Sequence, residues 1–221
     1  MPSTSESEAQ NPNDGAVVAE VLGGHTDAFA VLIRRYQQRL YNYLFRFTHH
    51  KEDCEDLVEE TFAAAFQKLQ TCRTPERFAS WLFAIAHNFG VNQWRKRKRA
   101  GEFTQELSEV VAATVPDKGL NPHELSVREE EARRLEGALQ QLSPKYRAAL
   151  LLYYYEDLSY QEISGTLGIS LDLVKTHLFR AKRALLKGLE AHGSSKGSLD
   201  GGKLSTPVLL AVRLNPSSPW K

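Results

Sequence analysis

Lys175, Thr176, His177, Phe179, Arg180, Lys182 and Arg183 crowd one short stretch, and that mixture of cations, hydroxyl and imidazole is equipped to read base edges and grip phosphates. An isolated basic helix is ordinarily just a solvated face. Here the preceding residues change the reading. Ser159 with Glu162 forms a capping box, Gly168 suits a C-terminal stop, and Ser170 can cap a following helix. Leu171, Val174, Leu178 and Leu185 supply an apolar stripe on which the second helix docks. The pattern is a helix-turn-helix whose second helix enters a major groove. Lys175 and Thr176 are its candidate base readers. Arg180, Lys182 and Arg183 suit phosphates, as do Ser170 and the free amides of the first turn.

A second constellation lies far upstream, from Trp81 to Arg99. Trp81 belongs to an apolar stripe. The remaining aromatics, Phe83, Phe89 and Trp94, spread beyond one face, are interleaved with His87, Asn88, Asn92 and Gln93, and run into Arg95, Lys96, Arg97, Lys98 and Arg99. Amides and aromatics beside cations suit separated strands, whose bases stack or enter pockets while phosphates need counter-charge. Taken alone, the basic run could equally be a solubilising flank.

Other clusters are weaker. Asp56, Glu59 and Glu60 share a helical turn and read as a solvated or partner-binding face rather than metal ligands. His49, His50, Cys54 and Cys72 lack the compact spacing of zinc pairs, so no metal is expected. No Gly-rich phosphate loop, nucleophile elbow or paired-acid arrangement occurs, so neither cofactor nor catalysis is expected.

The elements that carry these residues are helical. Apolar residues recur at three- and four-residue steps from Ala28 to Phe47, from Leu57 to Leu69, and from Phe78 to Phe89, with Thr74-Pro75 opening the last of these helices. A short helix over 16–22 ends at Gly23-Gly24. Residues 16–99 thus form a first helical domain. Residues 100–127 are acidic, Pro-punctuated and aperiodic, a flexible linker. Residues 128–192 resume the helical pattern, Ser143-Pro144 opening a helix before the helix-turn-helix. Residues 1–15 are a polar disordered arm, and 193–221 a Gly/Ser/Pro-rich tail.

The chain's 221 residues carry 28 Lys+Arg against 27 Asp+Glu, so any DNA affinity must come from local clusters, not an overall field. No apolar run is long enough to span a bilayer, and two cysteines inside helical patterns fit a reduced, cytoplasmic setting.

With these residues in view, the chain from about Ala16 to Leu189 resembles the sigma-70 family, specifically the compact extracytoplasmic-function (ECF) sigma factors that keep only regions 2 and 4. The resemblance is carried by Asp27-Ala-Phe, Asp56-Leu-Val-Glu-Glu-Thr-Phe62, Trp81-Leu-Phe-Ala-Ile-Ala-His-Asn88, Leu142-Ser-Pro and the segment Leu158 to Ser170. It implies an all-α fold of two small domains, a region 2 bundle and a region 4 helix-turn-helix. It implies docking of Asp56, Glu59 and Glu60 on the clamp coiled coil of the RNA polymerase largest subunit, further contact with the polymerase flap, and an anti-sigma partner. It implies that Asn88, with Cys72 in the loop 70–75, forms a pocket for a flipped minus-10 base, and that His87, Asn92, Trp94 and Arg95 to Arg99 hold the opened strand. Lys175, Thr176, His177, Phe179 and Arg180 match minus-35 contact positions. The chain departs from the usual pattern at Glu59, Cys72, Gly165, Asp172-Leu173 and His177. The implied function is a promoter-specificity factor that binds core polymerase and promotes melting without catalysing any reaction. Two alternatives stand beside it: a conventional helix-turn-helix regulator that needs no polymerase, and an interaction module that binds polymerase without DNA.

Overall fold

The computed structural model describes residues 13–48, 50–101, 130 and 133–193. The expected acidic linker beyond Gly101, the C-terminal tail beyond Gly193, His49 and most of the N-terminal arm lie outside these residues. Among the described residues eight α-helices follow in order: α1 (Asp14–Leu22), α2 (Phe29–Thr48), α3 (Lys51–Gln67), α4 (Phe78–Ala100), α5 (133–140), α6 (Pro144–Tyr154), α7 (Tyr160–Leu167) and α8 (Leu171–Gly193). No strand occurs among the described residues.

In α2 the periodic positions Phe29, Leu32, Tyr36, Leu40, Tyr43, Leu44 and Phe47 are all buried. They pack against Leu57, Phe62 and Ala65 of α3 and against Phe78, Leu82 and Phe83 of α4. Each such Leu or Phe contributes about 1.5–3 kcal/mol on burial. Phe83, expected among the more exposed aromatics, is fully buried and meets Tyr43 edge to face at 5.4 Å. Helix α1 starts two residues before the expected 16, because the Asn13 side chain accepts the Ala16 N–H at 2.8 Å and caps it. Asp14, assigned to the arm on sequence, instead pairs with Arg35 and Tyr36 of α2.

The second bundle sets α5, α6 and α7 around α8. Ser159 and Glu162 form the expected capping box, and Gly168 ends α7 in the left-handed region at φ 63°, where a Cβ would be strained. The two bundles do not stand apart. Ala148, Leu151, Leu152, Ile163, Val174 and Leu178 join the core of the first bundle in one apolar cluster.

Polar contacts cross the same junction. The Thr166 hydroxyl of α7 donates to the Ser80 carbonyl of α4 at 3.0 Å. Arg147, 5% exposed, donates to the Phe47 carbonyl at 2.9 Å, and also to those of Leu139, Gln140 and Leu142. One guanidinium therefore satisfies the carbonyl ends of both α2 and α5, where the helix dipoles favour a cation. Burial pushes its pKa down to about 10, which leaves it charged at neutral pH.

Candidate nucleic-acid interface

Helix α8 presents one face outward because Val174, Leu178, Ala181 and Leu185 face the core. Lys175, Phe179, Arg180 and Arg183 lie on the exposed side, and Phe179 keeps 54% of its surface. The Ser170 hydroxyl accepts the Leu173 N–H at 3.3 Å, capping the first turn. Thr176 donates its hydroxyl to the Asp172 carbonyl at 2.9 Å, and Lys175 Nζ stands 3.4 Å from the Asp172 carboxylate. Leu171, expected in the docking stripe, is 37% exposed because the helix begins there.

One member of the proposed reading set turns away from solvent and a second is partly covered. His177 is buried against the Tyr146 ring at 5.3 Å, and burial, with Lys145 and Arg180 nearby, holds its imidazole below its usual pKa. Lys182 is half-buried and lines a small apolar cavity with Leu135, Leu139 and Tyr154. The outward face is thus narrower than the sequence suggests: Lys175, Phe179, Arg180 and Arg183, with Thr176 at its edge.

Helix α4 is more divided. Asn88 and Asn92, Arg95 and Arg99 recur at helical steps and are all exposed. Asn92, Gln93, Arg95, Lys96, Lys98 and Arg99 line an open groove of about 860 Å³, closed on its far side by Leu57 and Glu60 of α3. His87 points inward instead, its Nδ1 2.9 Å from the Tyr43 hydroxyl, and burial drives its pKa down to about 4. Cys72 is buried with its thiol toward the Thr74 carbonyl, and burial raises its pKa. Trp94 is half-buried with the Lys98 ammonium 5.1 Å over its ring. Arg97 is held by Asp53 at 2.7 Å, which removes it from the set of free cations.

The three acids of α3 also separate. Glu59 lies on the outer stripe that continues through Ala63 to Phe66, which is 43% exposed beside an apolar groove between α2 and α3. Glu60 lies on the other side and faces the basic groove of α4. Asp56 is exposed between them.

Sequence reasoning missed Tyr146, Arg147, Arg39 and Glu156. Arg147 left one signal, a cation at the head of the apolar run Ala148 to Leu152. The others left none, since their partners are remote in the chain. Among the described residues no group of His, Cys, Asp and Glu could hold a metal ion, and no helix is long and apolar enough to cross a membrane.

Comparison with known proteins adds a second line of observation. Residues 32–100 match the family described as Sigma-70 region 2, and residues 132–185 match Sigma-70, region 4. The RNA polymerase sigma factor YlaC of Bacillus subtilis is 35% identical over 166 residues, covering 75% of this chain and 94% of that protein. The ECF RNA polymerase sigma factor SigE of Mycolicibacterium smegmatis is 32% identical, covering 74% of this chain and 62% of that protein. Among solved structures, the sigma factor RpoE in complex with the anti-sigma factor NepR from Bartonella quintana superposes with a TM-score of 0.58 at 23% identity, over 73% of this chain and 96% of that one.

Proposed function

The chain belongs to the sigma-70 family as an ECF-group factor that recognises promoters and initiates transcription with RNA polymerase, and from that premise we propose how its surfaces divide the work. Its partners are core RNA polymerase and promoter DNA; an anti-sigma protein, such as the one bound to RpoE, is a proposed third. Its contribution is binding rather than bond-making.

Helix α8 enters the minus-35 major groove, with Lys175, Phe179 and Arg180 toward base edges and Arg183 toward phosphate. The groove on α4 receives the opened minus-10 strand: Asn88 and Asn92 meet bases, while Arg95, Lys96, Lys98 and Arg99 neutralise phosphates. Capturing unpaired bases offsets an unstacking cost of a few kcal/mol, so melting starts without ATP. Asp56 and Glu59 meet basic groups of the clamp coiled coil, and charge complementarity there sets register and encounter rate. The second bundle meets the flap. A domain arrangement of residues 16–99, linker 100–127 and residues 128–192 serves this division.

The packed junction adds a constraint. Minus-35 and minus-10 elements lie about 25 base pairs apart, roughly 85 Å at 3.4 Å per step, whereas a compact body of this size is only about 40 Å across. Both elements are engaged together only after α7 leaves α4. The packed form is a resting form, and polymerase supplies the surfaces that replace the junction.

The observation that carries this reading is the pair of separate cation-bearing faces, on α4 and α8, within one chain. Reconstituted transcription with core polymerase tests it. The expected result is initiation confined to a promoter class and abolished by Asn88→Ala combined with Arg180→Ala. Site-specific duplex binding by the chain alone, indifferent to polymerase, would overturn it.

A further inference from the structure

Arg180 is exposed on α8, yet its guanidinium does not swing freely. Its Nη1 donates to the Tyr146 hydroxyl at 3.1 Å across two helices. Tyr146 is itself fixed. Its ring meets the buried His177 ring in a T-shaped contact at 5.3 Å and carries the Lys145 ammonium 5.1 Å from its centroid. It also packs against the apolar cluster of Ala138, Leu142, Ala181 and Leu185. A rigid aromatic post therefore rises from the first turn of α6 and ends at the tip of a recognition-helix arginine.

An arginine side chain carries about 2 kcal/mol of rotamer entropy, and bidentate readout of a base edge or phosphate demands one orientation of its planar fork. Fixing that orientation before DNA arrives lowers the ordering cost of the contact. We propose that Tyr146 is a positioning residue for minus-35 recognition, holding the Arg180 guanidinium in its DNA-reading orientation through its hydroxyl. This rests on the reading of α8 as the major-groove helix. The Tyr146 hydroxyl accepts from one guanidinium N–H, and the remaining donors of Arg180 stay available for DNA. The position of Tyr146, opposite α8 rather than on it, explains how a residue outside the helix-turn-helix can shape its specificity.

The test is a double-mutant cycle between Tyr146→Phe and Arg180→Ala in the full chain bound to core polymerase, using a duplex enriched by that complex from a randomised pool. Tyr146→Phe keeps the ring and its contact with His177 and removes only the acceptor. The expected result is about a fivefold loss of minus-35 affinity in the parent, with relaxed preference at the base pair nearest Arg180. In the Arg180→Ala background the same change should cost less than about 1.5-fold, because the group it positions is gone. An equal loss in both backgrounds, or no loss in the parent, overturns the proposal. Core binding and unfolding midpoint are read alongside, and a drop in both with the selectivity profile unchanged assigns Tyr146 to structure alone, also overturning it. Failure of the unsubstituted complex to enrich any duplex would instead count against α8 as the reading helix.

Discussion

Arg39 of α2 reaches across the junction to Glu156, which follows α6, with Nε 2.9 Å from Oε2 and the carboxylate only 4% exposed. Arg46 and Asp157 act on the same carboxylate, and burial outweighs the cations, raising the Glu156 pKa to about 7 from an ordinary 4.5. The contact between the bundles is therefore also a titrating one.

Between pH 4.5 and about 7 the packed form binds a proton at Glu156 that the parted form has lost. Stability of the junction is accordingly greatest at the acid end of that window and falls as pH rises through it, levelling off above 7. Small-angle scattering from the full chain should report a larger radius of gyration at pH 8 than at pH 5.5. Glu156→Gln, neutral throughout, should lessen the change, leaving the part that comes from Glu136, whose buried carboxyl beside Arg46 of α2 is also raised; a parent radius independent of pH would refute the assignment.

Arg147 satisfies four carbonyls with one buried cation. Arg147→Met keeps much of the volume but takes the guanidinium donors from the Phe47, Gln140 and Leu142 carbonyls, the Leu139 carbonyl keeping the Leu142 N–H, at a cost of about 3–5 kcal/mol. Urea denaturation should show a lower midpoint, and Arg147→Lys should recover only a small part of the loss because an ammonium cannot span the two helix ends.

Glu60 lines the basic groove of α4, whereas Glu59 is exposed and does not line it. Removing the Glu60 charge takes a like charge away from incoming phosphates. Glu60→Gln should tighten binding to a single-stranded minus-10 oligonucleotide by about two- to fivefold at low salt, an effect that fades above about 0.5 M as screening shortens. Glu59→Gln should instead weaken core polymerase binding. The opposite outcome would exchange the two assignments.

Well-exposed cations and the half-buried, paired Arg97 should separate in a salt titration. Lys175→Ala and Arg183→Ala should each reduce the salt dependence of duplex binding by about one phosphate's worth of counterion release. Arg97→Ala, losing the 2.7 Å pair with Asp53, should leave that slope unchanged and lower stability by about 1 kcal/mol. Equal slopes for all three would mean that Arg97 leaves Asp53 when DNA binds.

Gly165 lies inside α7 with open space where a Cβ would stand. Gly165→Ala should stabilise the chain by about 0.5–1 kcal/mol, raising Tm by about 2–4 °C without altering promoter selectivity. Gly90 is the contrast: a Cβ there would sit 3.1 Å from Phe47 Cδ1 and 3.3 Å from Leu44 Cδ2. Calorimetry on both alanine variants should give shifts of opposite sign.

Local order was legible in the residues themselves. The buried stripe of α2, the capping box at Ser159 and the stop at Gly168 follow from helical periodicity and from side chains that bond backbone within a few positions. The candidate site was legible as a set of residue types, since the clustered cations of α4 and α8 announce themselves without coordinates. Their availability was not. Arg97 looks equivalent to Arg95 in the chain, and only the approach of Asp53 from α3 distinguishes them. His87 and His177 read as polar contacts until their rings are found against Tyr43 and Tyr146.

By itself, then, the amino-acid order determined which segments are helical, which faces are apolar, and where positive charge is concentrated, because those properties arise from neighbours three or four residues apart. Tertiary structure alone decided which cations remain free, how the acids of α3 divide, and that Arg39 meets Glu156 and Tyr146 meets Arg180. Those pairings join residues 117 and 34 positions apart, and no periodicity encodes a contact that depends on how whole helices pack.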